Sequence, residues 1–241
     1  MLLGPQLLAH VKVGPLAEAA DGVWHFATRN RQNNLMRFYN SGSSGAIAIL
    51  KGGEIDQFSV YAKGYFHAAT CLAESLAQRE RFPDYDGYPL IFLYRQSLEL
   101  YLKHTIYQAA RIVSYKNLKP LSDELLNKHE LASFATRGAE VLKELFPSDA
   151  SLHAFYDRVV TVSREFEEID QNSFVYRYPV TTKGGPVTNA TQTVTLDSFC
   201  ATMGEILSGF DTLDFGLDVE LQLEQEDKAH ILELLASITR S

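Results

Sequence analysis

Most of this chain alternates between apolar and polar residues with the period of an α-helix. Apolar residues recur every three or four positions in four segments, and each is therefore predicted to be an amphipathic helix. The four segments are 59–79, 88–114, 129–145 and 151–170. The second is apolar over most of its circumference, which predicts the central helix of a bundle. A fifth helix is predicted over 197–211, with Thr195 or Asp197 as its N-cap.

A period of two, typical of β-strands, marks two other regions. Residues 173–179 and 187–194 flank the turn sequence Lys183-Gly-Gly-Pro186, and this pattern predicts a β-hairpin within 173–195. Nearer the C-terminus, alternation predicts one more strand, whose apolar members are Leu217, Val219, Leu221 and Leu223. Asp227 is then a candidate cap for a final helix that ends near Ile238.

These elements predict a mainly α fold, an antiparallel four- to five-helix bundle with a small β-hairpin appendage. The bundle is assigned to residues 58–212, with the hairpin at 173–195 inside it. In residues 1–57, Gly and Pro interrupt short apolar runs, and we expect an irregular segment with short strands packed on the bundle. Residues 213–241 are expected to form a C-terminal strand and helix.

Composition narrows the classes of function. The chain has 22 Lys and Arg against 30 Asp and Glu, a formal charge of −8, which opposes loose electrostatic binding to nucleic acid. No apolar run approaches the roughly 20 residues of a membrane-spanning helix, and the N-terminus is a poor match to a signal peptide. Only two cysteines occur, so we expect a cytoplasmic protein without disulfides. We also expect no metal site and no cofactor.

A group of charged residues falls on the apolar faces of the predicted helices. At 100° per residue, Arg95 and Glu99 project from the buried stripe of the central helix, one turn apart. Asp170 ends the inward face of the fourth helix and could complete a polar cluster with Arg95. The cluster is either a buried ion pair that fixes helix register or an active or ligand-binding site.

The histidines share no ligand spacing. His129 stands at the start of the third helix, and His129-Glu-Leu-Ala-Ser133 lacks the second histidine of a zinc protease motif. His129 is therefore either an ordinary residue at a helix start or a catalytic histidine. His104 lies 180° from Arg95 on the helical wheel and cannot join its cluster.

Three pieces of sequence together resemble a known superfamily. They are the Arg-x-x-x-Glu-Leu-x-Leu-Lys pattern that ends at Lys103, the Lys128-His-Glu-Leu131 run, and Asp170-x-x-Ser-Phe-x-Tyr-Arg-Tyr-Pro179. In these features residues 58–210 resemble an uncharacterised branch of the HEPN-like superfamily. These are small helical bundles of bacterial toxin–antitoxin and phage-defence systems.

The resemblance implies a four- or five-helix bundle that dimerises through its central helices, and in active members a metal-independent ribonuclease site at that interface. The signature of active members is an arginine followed four to six residues later by a histidine. No arginine of this chain has a histidine at that distance. Arg95 could match the family arginine, and His129 could supply an imidazole from another helix. Arg177 belongs to the third piece and is assigned to the polar or ligand-binding cluster with Glu99 and Asp170.

Two functions follow from these observations. The first is a non-catalytic, homodimeric helical protein that binds a protein partner or a small nucleotide in a defence or toxin–antitoxin context. The second is a diverged endoribonuclease in which Arg95 stabilises charge on the phosphate and His129 acts as the base. RNA is a partner only under the second function.

Overall fold

The computed structural model describes residues 16–18, 24–26, 57–116, 130–170, 175–180, 183–186 and 193–239. The chain forms two compact units, residues 1–51 and 52–241. In the first unit, strands β1 (Leu16–Glu18) and β2 (Trp24–Phe26) pair antiparallel, with Leu16 opposite Phe26. These strands fall within the N-terminal segment for which short strands were predicted.

The second unit is mainly α-helical, as the periodicity predicts. A short 3-10 turn, Asp84–Asp86, precedes the second of its five described helices. The helices are α1 (Phe58–Ala77), α2 (Gly87–Lys116), α3 (Leu131–Leu145), α4 (Ala150–Ile169) and α5 (Leu196–Thr239).

The central helix of this unit is α2, because its buried residues lie on every side of it. Helix α1 packs on α2 through a seven-residue repeat of buried apolar side chains, Ala62, Ala69 and Leu76. The two small alanines allow the backbones to approach closely. The hydroxyl of Ser97 accordingly donates a hydrogen bond of 2.8 Å to the carbonyl of Ala62.

Helices that pack against each other within this unit do not all run antiparallel. Helices α1 and α2 are antiparallel, because Ser97 contacts Ala62 while the earlier Tyr94 contacts the later Phe66. Helices α2 and α5 instead run parallel. Three hydrogen-bonded pairs between α2 and α5 each join residues 110 positions apart: Tyr101–Asp211, His104–Asp214 and Gln108–Asp218. The predicted antiparallel arrangement therefore does not hold for this central pair.

The prediction of a C-terminal strand and a separate final helix is wrong. Helix α5 continues for 44 residues, through the boundary placed at residue 212 and past Asp227. Leu217 and Leu221, one turn apart, are buried, whereas Val219 and Leu223 are exposed. The alternation of the four apolar residues thus arises from two residues on the core-facing side of a helix and two on its solvent side.

The predicted hairpin is described only in part. Residues 175–177 form a turn, and Val180 and Pro186 make one antiparallel bridge around Gly184, whose φ is 78°. This positive φ suits a glycine. Residues 175–179 of the first predicted strand are described and form no strand, whereas most of the second predicted strand lies outside the described residues. The hairpin as a whole stays a prediction.

Candidate functional site

Arg95 and Glu99 pair with each other in the core. Arg95 lies on the core-facing side of α2 with 0% of its surface exposed, and its Nη1 lies 3.2 Å from Oε2 of Glu99. Asp170, the residue that follows α4, is 2% exposed and brings its Oδ2 to 3.6 Å from Nε of Arg95. The three residues therefore form one buried cluster, as the helical wheel predicts.

Arg95 also contacts the carboxyl end of α4. Its Nη2 donates to the backbone carbonyl of Asp170 at 3.5 Å, and the Asp170 side chain accepts from the backbone N–H of Val175 at 3.3 Å. A cation at this end of a helix interacts favourably with the helix dipole. Arg95 thus joins the central helix to the end of α4 and to the segment that follows it.

Lys103 is a fourth member of the buried cluster, which the sequence analysis missed. Its Nζ lies 2.8 Å from Oε1 of Glu99 and 5.6 Å from the ring centre of Phe134 on α3. Among the described residues, the cluster thus contains two cations and two carboxylates. The spacing of four residues between Glu99 and Lys103 is a common helical ion-pair spacing and could have revealed this contact.

Tyr176 lies beside the buried cluster. Burial raises the pKa of Tyr176 to about 12, and the charge of Asp170 adds to this rise while Arg95 opposes it. The Tyr176 hydroxyl is therefore neutral at physiological pH and can both donate and accept hydrogen bonds.

Of the other two predicted site residues, Arg177 is described by the structure and His129 is not. The guanidinium carbon of Arg177 lies 5.8 Å from the ring centre of Phe92 and 5.6 Å from that of Tyr178, so the structure places Arg177 over aromatic rings. His129 lies outside the described residues. Helix α3 begins at Leu131, two residues later, and its N-cap is Glu130.

A second polar cluster lies on the opposite side of α2, where the wheel places His104. Nε2 of His104 is 2.6 Å from Oδ1 of Asp214 on α5, and the second oxygen of Asp214 is 3.1 Å from Nζ of Lys63 on α1. Burial alone would raise the pKa of Asp214, but the hydrogen bond and charge of His104, and then those of Lys63, hold it below its usual value. This second cluster joins three helices.

The second polar cluster is also poorly placed for chemistry on a substrate. His104 is 3% exposed and Asp214 is 8% exposed, and the Tyr101 hydroxyl beside them donates to Asp211 at 2.7 Å. The outer residues Lys63 and Asp211 are half exposed. A buried His–Asp pair of this kind fixes helix register more readily than it reaches a substrate.

A groove of about 320 Å³ lies where α4 meets the start of α5. The side chains of Ile91, Phe166, Phe199 and Met203 contribute to its apolar floor. Hydroxyl groups form much of its rim, and they belong to Tyr176, Thr193, Thr195, Ser198 and Thr202. Tyr176 is thus shared between the groove and the surroundings of the buried Arg95 cluster.

Within the described residues, no group of three or more His, Cys, Asp and Glu side chains is arranged to hold a metal ion. In the part of the chain that the structure describes, no helix is both long and apolar enough to cross a membrane. No protein-family model matches this chain. Searches of curated proteins and of solved structures likewise found no match.

Proposed function

We propose that this chain is a non-catalytic helical protein that binds a protein partner or a small nucleotide. The family resemblance leads us to place it in the cytoplasm of a bacterium, in a defence or toxin–antitoxin system, as a homodimer of HEPN-like bundles. The observation that carries the proposal is the complete burial of Arg95 between Glu99 and Asp170.

Catalysis of RNA cleavage requires a cation that touches the reacting phosphate. The guanidinium of Arg95 instead faces two carboxylates within 3.6 Å, and a third interaction joins it to the backbone of Asp170. Exposing Arg95 to a substrate would break these contacts and leave buried charges uncompensated, at a cost of roughly 3–5 kcal/mol. A structural role for the cluster agrees better with this arrangement than a catalytic one.

The overall charge supports the same choice. A formal charge of −8 disfavours the polyanionic substrate of a ribonuclease. A protein partner or a compact ligand with few phosphates does not require a basic surface. The groove between α4 and α5 provides a concave site of a size suited to a small ligand.

The test is an RNA cleavage assay on the full chain. Purified protein is incubated with mixed-sequence RNA in EDTA, beside Arg95→Ala and His129→Ala variants whose folding is checked by circular dichroism. We expect no cleavage by any of the three proteins. Cleavage by the parent that both variants lose would instead establish the diverged ribonuclease, with Arg95 and His129 as its catalytic pair.

Binding is measured on the same preparations. Isothermal titration with mono-, di- and triphosphate nucleotides tests the small-ligand part of the proposal, and sedimentation equilibrium tests the homodimer. A monomer that shows neither RNA cleavage nor nucleotide binding would leave a protein partner as the ligand, to be sought by cross-linking in cells.

A further inference from the structure

The floor of the groove between α4 and α5 suits a flat apolar group. Phe166 and Phe199 pack edge to face with their ring centres 5.9 Å apart, and Met203 is fully buried beside them. Aromatic side chains make favourable contacts with planar rings. At about 320 Å³, the groove is at the small end of the range for ligand pockets and suits a compact molecule.

The side chains of the rim determine which polar groups of a ligand can be bound. Hydroxyl groups both donate and accept hydrogen bonds, so the rim can pair with the hydroxyl and amide groups of a neutral ligand. The one charged side chain among the described lining residues is the carboxylate of Glu165. None of these described lining residues is Lys, Arg or His.

The groove's lining favours neutral or cationic groups, and the N-terminus of α5 does not change this preference. The N-terminus of a helix carries partial positive charge and attracts anions. In α5, however, Asp197 occupies the first turn and supplies a carboxylate there. Glu165 on α4 lines the groove, and its carboxylate repels a phosphate bound there.

We propose that this groove binds a nucleoside-sized molecule with a flat ring and hydrogen-bonding groups, neutral or cationic, and that it rejects the phosphorylated form. The ring lies over Phe166 and Phe199, while the polar groups contact the hydroxyl rim. This inference rests on the non-catalytic, ligand-binding part of the proposed function and departs from its small-nucleotide alternative, because a nucleotide would have to bind elsewhere on the chain than in this groove.

The test uses three probes that have the same base and differ only at the 5′ position of the sugar. They are each ribonucleoside, its 5′-monophosphate and its 5′-amino-5′-deoxy analogue. Isothermal titration with the full chain measures their affinities. For at least one nucleoside we expect saturable binding, with the 5′-amino analogue binding at least as tightly and the monophosphate at least tenfold more weakly. Absence of saturable binding by all nucleosides, or equal affinity for the monophosphates, overturns the proposal.

Two exposed positions on α5 provide a matched pair of variants. Ser198→Trp places a large ring in the rim and should weaken nucleoside binding at least tenfold, whereas Ser208→Trp, on the same helix but outside the groove, should leave it unchanged. Glu165→Lys should reverse the order, so that the monophosphate binds more tightly than the nucleoside. Equal affinities in the parent and Ser198→Trp would mean that the ligand binds elsewhere and would overturn the assignment of the groove.

The outcomes also separate this inference from the proposed function. RNA cleavage would contradict the proposed function whatever the titrations show. Nucleoside binding that is insensitive to Ser198→Trp, in a protein that does not cleave RNA, would contradict the groove assignment alone.

Discussion

At the scale of single residues, the main feature is a cluster of charged side chains in the core. Arg95, Glu99, Lys103 and Asp170 are each less than a tenth exposed, and their contacts join α2 to the end of α4. Buried ion pairs seldom add much net stability compared with apolar residues, yet removal of one member is costly. The cluster therefore specifies how the helices pack more than it strengthens the fold.

The coupling within the cluster is measurable. We expect Arg95→Met to lower the free energy of unfolding by roughly 3–5 kcal/mol, and by clearly less in a Glu99→Gln background. Urea denaturation of the parent, the two single variants and the double variant gives the coupling energy. The exposed pair Arg137 and Glu140, 3.4 Å apart, is the matched control and should show a coupling below about 1 kcal/mol. Equal losses for Arg95→Met in both backgrounds would contradict the pairing.

The second polar cluster gives a pH-dependent prediction. The pKa of Asp214 is lower in the folded chain than its ordinary value of 3.8, so the ionised carboxylate contributes stability above that pH. This contribution is lost as the pH falls below 3.8 towards the folded pKa. We therefore expect the parent to be more stable than Asp214→Asn at pH 7, and the difference to shrink below pH 3.8. Urea unfolding across this range tests it, and a difference that grows with acid would show the opposite sign.

Sequence reasoning found the part of the site that lies close together in the chain. Arg95 and Glu99 share one helical face, and a wheel shows that directly. His104 and Asp214 are 110 residues apart, and their contact depends on the parallel packing of two helices. No periodicity within a single segment carries that information.

At the scale of elements, α5 is the helix that differs most from expectation. Residues 197–211 were predicted to be helical, but the alternation from Leu217 to Leu223 favoured a strand over a helix. Leu207, Phe210, Leu217 and Leu221 are all buried, and their spacing shows the helical stripe running through this region. Four apolar residues at alternate positions fit either structure when the solvent side of a helix also carries apolar side chains.

Two leucines on α5 distinguish the helix from the predicted strand. Leu221 is 5% exposed and Leu223 is 53% exposed, although in a strand both would lie on the same face. We expect Leu221→Ala to cost about 2–5 kcal/mol and Leu223→Ala less than about 0.5 kcal/mol. Thermal and urea unfolding provide the values, and similar costs for the two variants would favour the strand.

At the scale of the whole helical unit, the parallel pairing of α2 and α5 organises the structure. The pairs along it extend from Tyr94 with Phe199 to Lys116 with Glu220 and Glu224. Helices α1 and α4 run antiparallel to these two. Local sequence signals predicted the helices but not this arrangement, because their relative directions depend on connections whose residues have no regular pattern.

The parallel orientation can be tested by cross-linking. In a Cys71→Ser, Cys200→Ser background, a short bis-maleimide should join cysteines placed at Gln108 and Asp218, whose side chains are 2.9 Å apart. Cysteines at Gln108 and Thr202 should not react with each other, since 16 residues of helix separate positions 202 and 218 by about 24 Å. Electrophoretic mobility after tryptic digestion identifies the linked peptides. Cross-linking of the second pair alone would reverse the assigned direction.

Because α5 is one continuous helix, a small tilt at its start produces a larger displacement at its end. With 44 residues and a rise of about 1.5 Å per residue, it extends about 66 Å from the groove at its first turn to its last turn. A rigid tilt of about 5° at the groove would displace the far end by about 6 Å over this length. Beyond the midpoint of α5, Lys116 contacts Glu224 and Tyr115 contacts Lys228. These contacts would be the first to change on such a tilt. Occupancy of a small groove could thereby be transmitted as a movement large enough for another protein to detect.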